Sequence, residues 1–225
     1  MAAIGAITAP SSTAAVGAHG ADVRGVAQVI DGDTLLIGDT RVRLEGIDAP
    51  ESSQTCSRRW IGHWNCGRAA ARELARLTAG RTVECRHHGI DKYGRMLGIC
   101  YADGQDLNEL MVRRGFAWAF VKYSQIYVTA EAEARAAKVG IWQGEAEPAW
   151  DYRTRRWAGA EDEAPKGCAI KGNVSRNGHI YHVPWSAWYD KVKIEPARGE
   201  RWFCTEAEAV AAGWRPAQPS RGAAE

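Results

Sequence analysis

Cysteine placement constrains this chain more than any other feature. Cys56, Cys66, Cys85, Cys100, Cys168 and Cys204 are even in number, and none falls in a C-x-x-C pair. That pattern points to disulfides and an oxidising compartment rather than to a redox motif. Cys85 and Cys100 flank the Asp91–Arg95 turn almost symmetrically, so they would face each other across a hairpin. Cys56 and Cys66 bracket a ten-residue excursion whose closure would stiffen the loop carrying Glu51. Cys168 and Cys204 lie within a C-terminal stretch of about fifty residues, which can barely support a core unaided and which a disulfide would help. With His179 and His182 the same two cysteines formally make a Cys₂His₂ zinc set, although the spacing matches no common zinc module. Buried free thiols are the alternative for all six.

A chain of 225 residues, 45% hydrophobic, suits one ordinary domain plus a small one. The net charge of +2 neither demands nor excludes a nucleic-acid partner. No run of 18 apolar residues is present, so no membrane span is expected. Residues 1–22 read as a disordered tail or a degenerate export signal. Ala2 to Ala9 is mildly apolar and small residues stand at Ala18 and Gly20, but no Lys or Arg precedes Arg24. The cysteines argue better than this segment for an exported protein, periplasmic or secreted.

Val23–Ile30, Thr34–Ile37 and Thr40–Leu44 read as strands, the last two joined at Gly38-Asp39. In the third, Val42 and Leu44 share one face, which leaves Arg43 on the surface with Arg41 and Glu45. Cys66–Leu77 reads as a helix, Thr82–Arg86 and Arg95–Tyr101 as a hairpin, Asp106–Arg114 as a second helix, and Glu131–Lys138, capped by Thr129, as a third. Residues 144–165 turn acidic, with Pro and Trp and three arginines in Trp150–Trp157, and read as a linker between a unit at 23–143 and a small module at 166–216. In that module Cys168–Val174, His179–Val183 and Val192–Ile194 look like strands and Thr205–Ala212 like a helix; residues 217–225 read as a disordered tail. Periodicity alone gives α+β.

Chemistry concentrates in Asp31-Gly32-Asp33-Thr34, in Arg43-Leu-Glu-Gly-Ile-Asp48-Ala49-Pro50-Glu51, and in Asp91-Lys92-Tyr93-Gly94-Arg95. Two or three of these carboxylates can hold a hard cation, one more can act as a base, and two guanidiniums can clamp a phosphate. That combination suits hydrolysis of a phosphodiester.

In order and spacing these motifs resemble the staphylococcal nuclease (thermonuclease) family, from about Val26 to Trp142. The resemblance implies an α+β fold built on an OB-type five-stranded β-barrel with about three helices, to which the small C-terminal α+β module is appended. It implies a Ca²⁺-dependent nuclease acting on DNA and RNA as a monomer and leaving 3′-phosphates. Asp33, Asp48 and the carbonyl of Ala49 would hold Ca²⁺, and Asp31 would support them from behind. Glu51 would be the general base, with Arg43 and Arg95 as the catalytic clamps. Lys92, Tyr93 and Tyr123 would contact a flanking phosphate or a stacked base. Val121 stands where a second tyrosine is expected, so one nucleotide contact of the family pattern is missing. Two other readings compete: a non-catalytic nucleic-acid-binding barrel, and an envelope- or polysaccharide-associated protein whose nuclease part is auxiliary. Retention of every site acid and arginine favours the enzyme.

Overall fold

In a computed structural model, residues 21–58 and 62–217 can be described. The tail or export signal assigned to residues 1–22 falls almost wholly outside them, as does the C-terminal tail beyond Ala217. Strands β1 (Val23–Asp31), β2 (Thr34–Ile37) and β3 (Thr40–Leu44) form a meander. A short β4 (Ile47–Asp48) and the hairpin β5 (Cys56–Arg58) and β6 (Gly62–Trp64) lead into helix α1 (Cys66–Thr78). Strands β7 (Thr82–Ile90) and β8 (Met96–Ala102) make a long hairpin, and β9 (Gln105–Asp106) enters α2 (Leu107–Arg113). After β10 (Trp118–Ala119) comes α3 (Val128–Ala137).

The strand order β3-β2-β1-β7-β8 closes on itself because β3 also pairs with β8, in parallel. A five-stranded barrel results, the OB-type architecture the motifs implied. Leu35, Val42, Leu44, Leu74, Val83, Met96, Leu107 and Met111 fill it and are nearly or wholly inaccessible to solvent. Two helix starts illustrate how local chemistry and packing share control. Asp106 caps α2 by accepting from the Glu109 N–H at 2.9 Å. α3 instead begins a residue ahead of Thr129, after Tyr127, which is buried and whose hydroxyl binds Asp106 at 3.0 Å. A tertiary anchor, not a side-chain cap, sets that boundary.

All three disulfides form: Cys56–Cys66, Cys85–Cys100 and Cys168–Cys204. Cys85 and Cys100 are register partners on β7 and β8, inside the barrel. The zinc reading falls with the third bridge, and its two histidines are otherwise engaged: His182 bonds Asn173 at 3.0 Å and His179 stacks on Trp214. Replacing Cys85 and Cys100 together by Ala should cost about 2–4 kcal/mol of stability, from the lost loop constraint of a 15-residue separation and the lost packing. Thermal unfolding under non-reducing conditions measures it; an unchanged Tm would mean the bridge contributes nothing.

The stretch 144–165 is not a plain linker. It contains helix α4 (Ala149–Glu161), which buries Ala149, Tyr152 and Ala160. Trp150 stacks on Phe120 and meets the edge of Trp118, so α4 is packed on the barrel. Beyond it, β11 (Ile170–Ser175), β12 (Gly178–His182), β13 (Arg201–Phe203), α5 (Glu206–Ala211) and β14 (Arg215–Pro216) form a four-stranded unit with its own core of Ile170, Tyr181, Phe203, Ala209 and Trp214. Val192–Ile194 is not a strand. A 3₁₀ turn precedes it and another starts at Pro196, leaving no length to pair, and Arg201–Phe203 takes the sheet position instead.

Candidate active site

The β1–β2 turn places Asp33 against the end of β4. Gly32 is required there, because a Cβ would lie 2.7 Å from Ala49 Cβ and 2.8 Å from Ala70 Cβ. Asp31 accepts from the Asp33 N–H at 3.2 Å, and Asp33 Oδ2 accepts from the Ala49 N–H at 3.0 Å. Asp48 is fully buried and Asp33 nearly so. Arg43 on β3, opposite Thr34 in register, joins the two: Nη1 donates to Asp33 Oδ1 and Nη2 to Asp48 Oδ1, each at 2.8 Å. The surface position expected for Arg43 is therefore corrected. Strand alternation takes its side chain off the core, but the two carboxylates draw the guanidinium inward, leaving it 18% exposed.

Glu51 follows Pro50 on a loop held from several sides. Its N–H donates to Gln54 Oε1 at 3.1 Å, and Gln54 Nε2 donates to the Glu147 carbonyl at 2.6 Å. Gly67, in the first turn of α1, lies so close that a Cβ there would fall 1.7 Å from the Glu51 carbonyl oxygen. The Cys56–Cys66 bridge closes the loop's far end.

Arg95 immediately precedes β8, at the end of the hairpin turn. Asp91 orders that turn by accepting from the N–H groups of Tyr93 and Arg95 at 2.8 and 2.9 Å and from Arg95 Nε at 2.7 Å. The guanidinium lies 5.3 Å from the Tyr93 ring centroid, and Lys92 Nζ lies 4.8 Å from it. Tyr93 and Tyr123 are both exposed, the latter stacked edge-on against Phe120. Val121 is exposed as well.

A residue that sequence reasoning passed over enters from α4. Arg153 donates through Nη2 to Asp48 Oδ2 at 2.7 Å, and through Nη1 to Asp48 Oδ1 at 3.0 Å and Glu51 Oε1 at 2.7 Å. The signal was present. Residues 149, 152, 153, 156, 157 and 160 recur at helical spacing and form the covered face of α4, while 151, 154, 155, 158 and 159 are exposed. An arginine on the covered face of a helix needs a carboxylate partner.

Burial pushes the Asp33 carboxyl up, but Arg43, the Ala49 N–H and Arg95 outweigh it and hold it below its usual range. Asp31 is pushed up to about 6 by burial and by the neighbouring charge of Asp33. Burial pushes Glu51 up to about 8 against the opposing pull of Arg153. The cluster brings four carboxyl groups, Asp31, Asp33, Asp48 and Glu51, around two bonded guanidiniums. Such an all-oxygen, acid-rich set suits a hard divalent cation such as Ca²⁺. Asp33, Asp48 and the Ala49 carbonyl are the groups that would hold it.

The chain matches the family model for staphylococcal nuclease homologues over residues 41–144, which includes Arg43, Asp48, Glu51 and Arg95. It matches the ArfC family over residues 154–216. It is 38% identical over 145 residues to an uncharacterized endonuclease of Escherichia coli O157:H7, covering 60% of this chain and 88% of that protein. Identity is 36% over 153 residues to a micrococcal nuclease of Shigella flexneri, covering 59% and 82%. It is 38% over 135 residues to the succinoglycan biosynthesis protein ExoI of Rhizobium meliloti (strain 1021), covering 59% and 71%.

Proposed function

Because the chain belongs to the staphylococcal nuclease homologue family, we propose that it is a Ca²⁺-dependent phosphodiesterase that cleaves DNA and RNA and leaves 3′-phosphates. It is a hydrolase of the nuclease class, and its substrate is nucleic acid. The observation that carries the reading is the convergence of Asp33, Asp48 and Glu51 on two shared guanidiniums. One arginine fork spans the two proposed ligand carboxylates, and another spans a ligand and the proposed base.

Bound Ca²⁺ would neutralise the phosphate and lower the pKa of a coordinated water. Glu51 takes the proton from the attacking water. Arg43 and Arg95 donate to the phosphate oxygens, whose charge builds as the bond to O5′ breaks. Tyr93, Lys92 and Tyr123 hold the flanking nucleotide by stacking and charge, a mode indifferent to base identity. Asp31 holds the Asp33 turn in place. Three disulfides fit an oxidising compartment and hence an exported enzyme. Among the described residues no helix is long and apolar enough to cross a membrane.

The test is digestion of single-stranded DNA with Ca²⁺, with EDTA and with Mg²⁺. Cleavage is expected with Ca²⁺ and abolished by EDTA. Mg²⁺ should support it poorly, because it demands tighter octahedral geometry. Full activity in EDTA refutes the cation's part in the reaction.

A further inference from the structure

We infer that Arg153 is a positioning residue of the active site, an internal cation that holds Asp48 and Glu51 in the divalent ion's stead and must be displaced before that ion can bind. The inference rests on the reading of Asp33, Asp48 and Ala49 as a cation site.

The geometry leaves little room for both. Every oxygen of the Asp48 carboxylate accepts from a guanidinium: Oδ1 from Arg43 and Arg153, Oδ2 from Arg153. Asp48 is fully buried, so no other face of the carboxylate meets solvent. A metal reaching Asp48 must therefore replace at least one of these contacts. Arg43 holds Asp48 through Oδ1 alone, and its other terminal nitrogen is engaged by Asp33. Arg153, from α4, holds both oxygens and among the described residues is the donor to Oδ2, so an ion reaching Oδ2 displaces it.

Arg153 is also not an incidental surface charge. Its side chain is 22% exposed, and it meets Asp48 as a two-pronged fork while reaching Glu51 with the same nitrogen. The next turn of α4 is fastened independently. Arg156 donates to the Pro184 carbonyl at 2.9 Å and to Asp190 at 2.8 Å. Tyr152 and the Trp185 carbonyl both bind Ser53 Oγ, at 2.9 and 2.7 Å, two residues beyond Glu51. The C-terminal unit thus fixes the helix that delivers the guanidinium. Without the divalent ion, Arg153 keeps the ligand and base carboxylates together and compensated. With it, the guanidinium is freed.

Direct competition makes a quantitative claim. The Kd for Ca²⁺ should fall when the fork is removed, and should fall less when a point charge remains. Calorimetric titration of the full chain with Ca²⁺ alone, without nucleotide, reads this. Arg153→Gln is expected to bind Ca²⁺ about tenfold or more tightly than the wild type, within the usual range of coupling between two sites. Arg153→Lys should fall between them, because an ammonium cannot span Asp48 and Glu51. It also decides the question if the Gln variant does not fold. Arg155→Gln, on the exposed face of α4 and paired with Glu147, is the control and should leave Kd unchanged. Equal or weaker Ca²⁺ binding by both Arg153 variants overturns the inference. The two readings fail separately. Wild-type protein that binds Ca²⁺ as tightly as both variants sinks the inference and spares the cation site. Loss of the cation site is instead read from Asp48→Asn having no effect on Ca²⁺ binding.

Discussion

Arg43→Ala is expected to lower kcat by about 10²–10³-fold while changing KM far less, the pattern of losing a donor that acts mainly in the transition state. The structure adds a second consequence. Arg43 is the bridge between Asp33 and Asp48, and its removal leaves both buried carboxylates short of a partner. Breaking such a buried pair from one side costs about 3–5 kcal/mol. The variant should therefore lose Tm in Ca²⁺-free buffer and regain more of it on adding Ca²⁺ than the wild type gains. Arg43→Lys separates the two effects: one ammonium keeps the charge and much of the stability but cannot span both acids or fork onto a phosphate. Near wild-type turnover in Arg43→Lys would mean that the fork geometry is not used, and near wild-type turnover in Arg43→Ala would remove Arg43 from the clamp altogether.

Much of the barrel was legible in the sequence because its signals are local. The alternation that buries Val42 and Leu44, the turn glycines and the cysteines flanking a hairpin turn each follow from a few adjacent residues. What the sequence did not disclose depended on distant partners. The start of α3 is set by the Tyr127–Asp106 contact. Arg43 is pulled from solvent by Asp48, which lies beyond the end of its own strand. The largest omission, Arg153, lies 102 positions from Glu51, in a segment whose Pro, Trp and acidic content suggested a linker. Composition measures average polarity, whereas α4 is defined by which of its polar residues share a face. The Arg153 face was visible as a period, but its partners could be known only from the fold.

Glu51→Gln should lower kcat by about 10²–10⁴-fold, the range of one positioned general base. Glutamine keeps the shape and removes the proton acceptor, so binding of Ca²⁺ and of nucleotide should survive. The pH dependence follows from the sign of the titration. A base works only when ionised, so turnover must fall as pH drops through the Glu51 pKa. Burial pushes that carboxyl up to about 8 in the cation-free protein, with Arg153 pulling the other way. Positive charge from bound Ca²⁺ favours the carboxylate and moves the acid limb below that value. Because Ca²⁺ displaces Arg153, Arg153→Gln should leave the limb at saturating Ca²⁺ where the wild type has it, whereas removing an arginine that stayed on Glu51 would shift it to higher pH. A pH–rate profile of wild type, Glu51→Gln and Arg153→Gln at saturating Ca²⁺ reads all three expectations. The acid limb should vanish in the first variant and stay in place in the second. If Glu51→Gln kept the wild-type limb with full turnover, another group would be the base. If it instead lost Ca²⁺ binding while retaining turnover at saturating metal, Glu51 would be a metal ligand.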